Sequence, residues 1–212
     1  MKNVKRRNAI DLFCNILDPV LVVIAVSLFF TPESESLFGF KGSVCFRFFT
    51  IDSNILAALS CLAVIPFNIR ALKTGEDCIP LWAARFKFIG TDVVALTLLT
   101  VLFYLIPVQG IELMTASSNL YLHIICPPVV ILSFILLEKC SLKKKDYLFG
   151  VATVFVYAVI YLTQVVVIGE AAGGWPDFYN FNDNNTWPFF FAGIMLFTYL
   201  VSRLVRRIKN KI

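Results

Sequence analysis

The sequence predicts an all-α membrane protein: a single domain over residues 1–212 in which six transmembrane helices cross the bilayer, with both termini in the cytoplasm. Hydrophobic residues make up 58% of the chain and charged residues 16%, against about 45–50% and about 25% in soluble domains. The mean hydropathy is +0.79, and the chain holds 21 Phe. A soluble fold of this size has too little interior to bury so much apolar surface. The composition therefore excludes a soluble cytosolic enzyme and a disordered chain.

Six segments are long and apolar enough to cross a bilayer, which takes about 20 residues of helix. The first segment is too long for the apolar region of a cleavable signal peptide, and no small-residue cleavage pattern follows it. The connections between the segments are short, so we expect no appended soluble domain. The predicted spans are Ala9–Phe30, Val44–Phe67, Phe86–Leu105, Ser117–Leu137, Tyr147–Ile168 and Trp187–Leu204.

The basic residues set the predicted direction of the spans, since Lys and Arg concentrate on the cytoplasmic side of a membrane protein. Seventeen of the 19 basic residues fall before span one, in or beside the connections after spans two and four, or at the end of the chain. Only Lys41 and Arg47 fall on the other side. Both termini are therefore predicted to be cytoplasmic, and we expect the protein in the plasma membrane of a bacterium.

The longest outer connection, residues 170–186, is acidic, aromatic and rich in turn-forming residues. The simpler interpretation is a solvated connector, which is what most loops are. The alternative is a lid over a pocket that faces the outside.

The net charge of +5 does not predict nucleic-acid binding, because the basic residues form no stripe or groove interleaved with aromatic residues. A single His and the lack of ligand-type Cys spacing argue against a metal site, and no cofactor is implied. We interpret the six cysteines as structural, since a buried Cys commonly behaves as a small hydrophobe. Membrane lipids are the expected surroundings, and the sequence identifies no protein partner.

Span one carries Asp11, Asn15 and Asp18 on one face of its helix. Ionisable groups inside a span are costly and tend to face the bundle interior or a cavity. One interpretation is interhelical pairing, with Lys87 or Arg85 as the cation. The other is a functional proton or ion path through Asp18.

A hydroxyl and the only imidazole are predicted to lie at similar depth. Thr50 lies three residues past Arg47, about 5 Å into span two, and His123 lies about 9 Å into span four from the same side. A hydroxyl needs a positioned base to act as a nucleophile, and imidazole has the basicity for that role. The pair is thus a candidate for nucleophilic catalysis, while the simpler interpretation is a hydrogen bond across a helix interface.

Three neighbours are candidates for supporting roles. Asn54, one turn from Thr50, and Ser53 are candidate donors to a developing oxyanion. Asn119, one turn before His123, is a candidate to orient the imidazole ring, as the third member of a catalytic triad does.

Two segments resemble motifs of a known family. Residues 48–54 read Phe-Phe-Thr-Ile-Asp-Ser-Asn and resemble the second-span motif of the androgen-induced family of membrane proteins. Residues 119–127, with Asn119 four residues before His123 and Pro127 shortly after, resemble the family's fourth-span motif. The order and spacing of the six spans are also similar, so the resemblance covers nearly the whole chain and is greater to the bacterial six-helix relatives.

The family's Tyr-Pro-Phe stretch near the last span has no clean match in this chain. The nearest segments are Tyr-Asn-Phe at 179–181 and Trp-Pro-Phe at 187–189.

The resemblance implies an intramembrane threonine hydrolase that cleaves a lipid ester, as the eukaryotic members cleave fatty-acid esters of hydroxy fatty acids. It implies Thr50 as the nucleophile and His123 as the general base. The alternative is a non-enzymatic transporter or channel with a proton or solute path through Asp18 and Asp92. A third interpretation is a structural or partner-binding membrane protein.

Overall fold

The computed structural model describes residues 2–33 and 39–212, and over these residues the chain is helical with no β-strand. Six helices are long and apolar enough to span a membrane, as expected of an integral, multi-pass membrane protein. We number them α1 (Lys2–Phe30), α2 (Phe49–Thr74), α3 (Leu81–Val108), α4 (Leu120–Leu137), α5 (Tyr147–Ile168) and α6 (Trp187–Lys209).

The helix bounds differ from the predicted spans most at α2, which begins at Phe49 rather than Val44. The preceding residues, Gly42–Arg47, form a 3₁₀ turn in which Cys45 is buried. Hydropathy does not separate the end of this turn from the helix, because Val44, Cys45 and Phe46 are as apolar as the residues of a span. Thr50 is consequently the second residue of α2 and lies at the end of the helix.

α3 lies at the centre of the bundle, in contact with α2, α4, α5 and α6, while α1 packs on α2 and α4. Two glycines permit close approaches between helices. A Cβ atom at Gly90 would lie 2.8 Å from Ala57 Cα, so α2 and α3 meet backbone to backbone. A Cβ atom at Gly150 would lie 2.7 Å from Ser202 Oγ, where α5 crosses α3 and α6. Small residues permit such close helix packing in membranes.

The start of α1 and the end of α6 lie at the same end of the bundle, which we call the termini end. Here Arg7 forms an ion pair with Asp77, and the Arg85 guanidinium lies 3.0 Å from an Asp146 carboxylate oxygen. Lys139 Nζ donates a hydrogen bond to the Ile212 carbonyl at 3.0 Å. The opposite end, which we call the loop end, is formed by residues 39–48, 106–119 and 169–186.

Candidate functional site

The structure brings Thr50 and His123 together at the loop end. His123 Nε2 lies 3.4 Å from Thr50 Oγ1, although the two residues are 73 positions apart in the chain. The imidazole is buried, and the threonine is half-buried at the start of α2. The two residues named from sequence as nucleophile and base are therefore in hydrogen-bonding contact.

A wide turn at the start of α4 positions the imidazole. Residues 120–125 form a π-helical turn, and the Cys126 N–H donates to the carbonyl of Tyr121, five residues earlier. Pro127 has no N–H to offer the carbonyl of His123, four residues before it, and its ring crowds that carbonyl. The proline thus favours the wider turn, a geometry that recurs at functional sites.

Asn54 ties the two helices of the site together. Its Nδ2 atom donates to the carbonyl of Thr50 at 2.7 Å and to the carbonyl of Leu122 at 3.0 Å. One side chain thereby bonds the residue that carries the hydroxyl and the residue that precedes the imidazole. Asn54 is placed to fix the distance between the two reactive groups.

Ser53 and Asn54 are not aimed at a developing oxyanion. The Ser53 hydroxyl donates to the Thr50 carbonyl at 3.0 Å and lies 3.0 Å from Thr97 Oγ1 on α3. The Asn54 amide is engaged with two backbone carbonyls. The two side chains predicted as oxyanion donors instead hold the first turn of α2 in place, and Thr97 is a member of this contact that the sequence did not indicate.

Asn119 makes no hydrogen bond to His123 Nδ1, the ring nitrogen that a triad member would contact. It is half-buried just before the π-helical turn, while His123 Nδ1 has no hydrogen-bond partner among the described residues. The structure therefore gives the imidazole one hydrogen-bond partner, Thr50, and no carboxylate or amide behind it within the described part of the chain.

Thr50 lies in the wall of a cavity of about 400 Å³ at the loop end. The cavity is bounded by α2, α3, α5, α6 and the loop 169–186, and its lining is mostly apolar and aromatic. Thr97 and Thr100 add hydroxyls to the α3 wall. The imidazole of His123, on α4, contacts Thr50 and is not itself among the residues that line the cavity.

The loop 169–186 forms part of this wall, in keeping with the lid interpretation of that segment. Asp177 organises it by accepting hydrogen bonds from the Tyr161 hydroxyl at 2.5 Å and from the backbone N–H groups of Phe181 and Asn182. Phe178, Tyr179, Asn180 and Phe181 all line the cavity.

Tyr179 also attaches the loop to the helix that carries Thr50. Its hydroxyl accepts a hydrogen bond from the Phe49 N–H at 2.9 Å and lies 3.4 Å from the Tyr157 hydroxyl on α5. Burial raises the pKa of Tyr179 to about 12, so the phenol stays neutral. A movement of the loop would therefore displace the first turn of α2.

A second group of polar side chains is buried toward the termini end. It joins Asp11, Asn15 and Asp18 of α1 to the other helices, and Lys87 lies within it: Nζ is 2.5 Å from Asn15 Oδ1 and 2.7 Å from Cys61 Sγ. The predicted pairing of span one with Lys87 is thus present as a network. The remaining members are Asn8, Asn68, Ser133 and Glu138.

Arg85 and Asp92 lie outside that network. Arg85 bonds Asp146 at the surface of the termini end, with Nε 3.1 Å from the carboxylate. Asp92 accepts a hydrogen bond from Ser202, between α3 and α6, and its Oδ1 atom has no partner among the described residues. Asp18 and Asp92 therefore lie in separate contacts.

Within the described residues, no group of three or more His, Cys, Asp or Glu side chains is arranged to hold a metal ion. The six cysteines are unpaired thiols. Cys61 contributes more than packing, since its sulfur contacts both Lys87 and Asp18.

Comparison of the chain with protein-family models, with curated proteins and with solved structures finds no match.

Proposed function

We propose that the protein is an intramembrane lipid-ester hydrolase in which Thr50 is the nucleophile and His123 the general base. The observation that supports this most is the contact between Thr50 Oγ1 and His123 Nε2 at the wall of an apolar cavity. A hydroxyl beside an imidazole is the minimum arrangement for nucleophilic acyl transfer. An apolar cavity between membrane helices suits the hydrocarbon part of a lipid ester.

In this mechanism His123 Nε2 accepts the proton as Thr50 Oγ1 attacks the ester carbonyl carbon. The tetrahedral intermediate collapses, the ester C–O bond breaks, and His123 returns the proton to the leaving alkoxide. Water then cleaves the acyl-threonine by the same route in reverse. Nε2 can accept a proton only if the neutral ring carries its hydrogen on Nδ1.

The N-terminus of α2 is the proposed source of oxyanion stabilisation, in place of the Ser53 and Asn54 side chains. Thr50 is the second residue of this helix and lies at its positive dipole end. A low-dielectric site strengthens such an interaction with a developing negative charge.

We further propose that the termini end is cytoplasmic and that the membrane is a bacterial plasma membrane. The termini end carries most of the basic residues, as the cytoplasmic side of a membrane protein does. Thr50 and the cavity then open toward the outer leaflet, where a lipid ester could enter sideways between helices.

The alternative of a carrier with a path through Asp18 and Asp92 has less support. Asp18 contacts Cys61, Asp92 contacts Ser202, and the hydrogen bonds of the described residues do not join the two carboxyls. We therefore place the hydrolase first.

The test is labelling of the purified protein, in detergent and in lipid nanodiscs, with a fluorophosphonate probe that reacts with activated hydroxyls. Thr50→Val keeps the shape of the side chain and is expected to abolish labelling. Thr50→Ser keeps a hydroxyl and should restore it. His123→Asn should slow labelling by about 10²-fold or more, since that is the usual contribution of a general base.

Thr163→Val is the matched control, because Thr163 is exposed on α5 and its hydroxyl bonds only the local Val159 carbonyl among the described contacts. It should label like the wild type, with all variants shown to be folded by thermal unfolding. Equal labelling of Thr50→Val and the wild type would refute the proposal, as would a wild type that does not label in either medium.

A further inference from the structure

None of the described residues that line the cavity beside Thr50 carries a charged side chain. The polar groups of the wall are the hydroxyls of threonine and tyrosine, the Asn180 amide and the Trp187 indole, all of them neutral near pH 7. Arg47, a cation of the loop end, lies over the Trp175 ring at 5.8 Å from its centroid and does not line the cavity. A phosphate or carboxylate inside the cavity would therefore lose its water without gaining an ion pair, which is costly.

Acidic groups beside the cavity add to this cost. Asp177 lies next to the wall, where its carboxyl accepts hydrogen bonds from the Tyr161 hydroxyl and from two backbone N–H groups. Asp52 lies in the first turn of α2, two residues after Thr50, and its carboxyl is close enough to the Tyr179 hydroxyl to interact with it electrostatically. A negatively charged substrate would therefore meet carboxyl groups here rather than a cation.

The cavity opens toward the membrane between the loop-end halves of α3 and α6. Tyr104 and Val108 on α3 line the cavity and are nevertheless 54% and 65% exposed. Phe190 and Phe197 on α6 also line it and are 40% and 38% exposed. The turn Val101–Leu105 of α3 packs mainly on the adjoining turns of its own helix, so α6 does not close this side of the cavity.

A groove on the surface of α6 continues this opening. Phe190, Ile194 and Phe197 belong both to the cavity wall and to the groove, and Phe189 and Gly193 complete the groove. Gly193 leaves part of the groove without a side chain, and nothing lies within 4 Å of the position that a Cβ atom would take there. A hydrocarbon chain that lies along α6 can thus pass into the cavity without leaving apolar surroundings.

We propose that the ligand of this cavity is an uncharged long-chain ester, with no phosphate or carboxylate group, which reaches Thr50 from the bilayer through the opening between α3 and α6. This inference rests on the proposed hydrolase and names the substrate class of the same site. Water splits such an ester into an alcohol and a carboxylic acid, as in the mechanism above. The acid ionises near neutral pH and is then disfavoured in the cavity, which promotes its release.

The test is photolabelling of Thr50→Val in lipid nanodiscs with an uncharged long-chain ester that carries a diazirine in its acyl chain. This variant lacks the proposed nucleophile, so the experiment measures binding alone. Mass spectrometry should find the label on cavity residues such as Ala158 and Leu162, and an excess of the unlabelled ester should remove it. The matching esters with a carboxylate or a phosphodiester on the alcohol part should compete at least about tenfold more weakly, because the cavity offers a charge no partner.

Gly193→Trp tests the route of entry, since its indole would fill the groove at the opening without meeting another side chain. In the Thr50→Val background it should reduce labelling inside the cavity several-fold. Ala192→Trp is the matched control, because Ala192 is exposed on α6 and lines neither the cavity nor the groove. It should label like its parent, with both variants shown to be folded by thermal unfolding.

Equal competition by the charged and the uncharged esters, or no label inside the cavity, would overturn the proposal. Equal cavity labelling of Gly193→Trp and Ala192→Trp would refute the entry between α3 and α6. The fluorophosphonate reaction of the wild type separates these outcomes from the proposed function. Selective cavity labelling in a protein whose Thr50 does not react would uphold the uncharged ester as the ligand and refute only the hydrolase. A reactive Thr50 without selective competition would refute this inference and leave the hydrolase in place.

Discussion

The two halves of this bundle use buried polar residues in different ways. At the termini end, Asp11 and Lys87 are enclosed by amides, a hydroxyl and a thiol, and each makes close polar contacts. At the loop end, Thr50 and His123 make one contact with each other at 3.4 Å and adjoin a cavity of about 400 Å³. The first arrangement is a packed network, and the second leaves reactive atoms beside empty space.

The difference separates stability from reactivity. Polar groups enclosed on all sides by partners hold helices together, and removing one leaves others unpaired. A hydroxyl in a cavity wall can meet another molecule. We therefore expect substitutions at the termini end to act mainly on unfolding, and substitutions at the loop end to act mainly on the chemistry of Thr50.

The largest effect on stability is expected from Lys87→Met. Removing one ammonium leaves the buried carboxyls with less compensation, and breaking a buried ion pair in this way costs about 3–5 kcal/mol. Chemical unfolding in mixed micelles measures the change. The matched control is Lys139→Met, since Lys139 is exposed and bonds the chain end.

The free energy of unfolding of Lys139→Met should lie within about 0.5 kcal/mol of that of the wild type, as is usual for surface substitutions. The fraction of Lys87→Met that remains folded should still react with the fluorophosphonate probe. Equal stabilities of the two variants would contradict the view that the termini end is an electrostatic core.

A smaller loss of stability is expected from Gly150→Ala. The added Cβ would lie 2.7 Å from Ser202 Oγ and closer still to Asp92 Oδ2, so α5 must move away from α3 and α6. Overpacking of this kind costs about 1–3 kcal/mol. Gly193→Ala is the control, because nothing lies within 4 Å of a Cβ atom there.

Gly193→Ala should be neutral or stabilising, since Ala favours a helix over Gly by up to about 1 kcal/mol. Thermal unfolding of the two variants side by side gives the comparison. If Gly150→Ala proved as stable as Gly193→Ala, the close contact of α5 with the Asp92–Ser202 pair would be wrong.

Asn54→Leu should affect reactivity more than stability. It removes one hydrogen bond that joins α2 to the Leu122 carbonyl of α4 and one within the first turn of α2, which costs about 1–3 kcal/mol. Loss of this connection lets Thr50 move away from His123, and a displacement of about 1 Å can slow a reaction by about 10²-fold. The measurement is the rate of fluorophosphonate labelling of folded protein.

Ser60→Ala is the control for Asn54→Leu. Its hydroxyl also bonds a backbone carbonyl of α2, that of Ala57, but far from the loop end. Labelling of Ser60→Ala should match the wild type. A normal labelling rate in Asn54→Leu would show that the amide does not position the reactive pair.

How much of this could be predicted from the sequence depends on the range of the interaction. The six helices follow from apolar length, and the similar depth of Thr50 and His123 follows from their positions along the spans. The start of α2 does not follow from apolar length, because the 3₁₀ turn before Phe49 contains the apolar residues Val44, Cys45 and Phe46. The role of Asn54 does not either, since an amide is equally suited to an oxyanion and to two backbone carbonyls.

The residues that contact the polar face of α1 could not be predicted from the sequence either. Asp11, Asn15 and Asp18 predict a polar face on α1, but not which residues meet it. Asn68 and Glu138 lie near the ends of their helices, where polar residues normally face water. Only the rotation and register of α2 and α4 against α1 place them in the interior.

The smallest effect is expected where the same kind of ion pair lies at the surface. Although partial burial opposes it, hydrogen bonds from Arg7 and Asn8 hold the pKa of Asp77 below its usual value. A depressed carboxyl pKa stabilises the fold above the unfolded-state value of about 4 and loses that contribution as the pH falls through the folded-state value. Asp77→Asn should therefore be less stable than the wild type at pH 7, by at most about 1 kcal/mol, and the gap should close below about pH 4.

Glu76→Gln, at the neighbouring exposed position, should show no such gap. Unfolding of the three proteins across this pH range, at low and high salt, makes the measurement. Dissolved ions reach the Arg7–Asp77 pair and do not reach Lys87. Salt should therefore reduce the stability difference between Asp77→Asn and the wild type and leave the stability loss of Lys87→Met unchanged. Equal salt sensitivity at both positions would mean that water reaches the buried network, and the contrast between surface and interior pairs would fail.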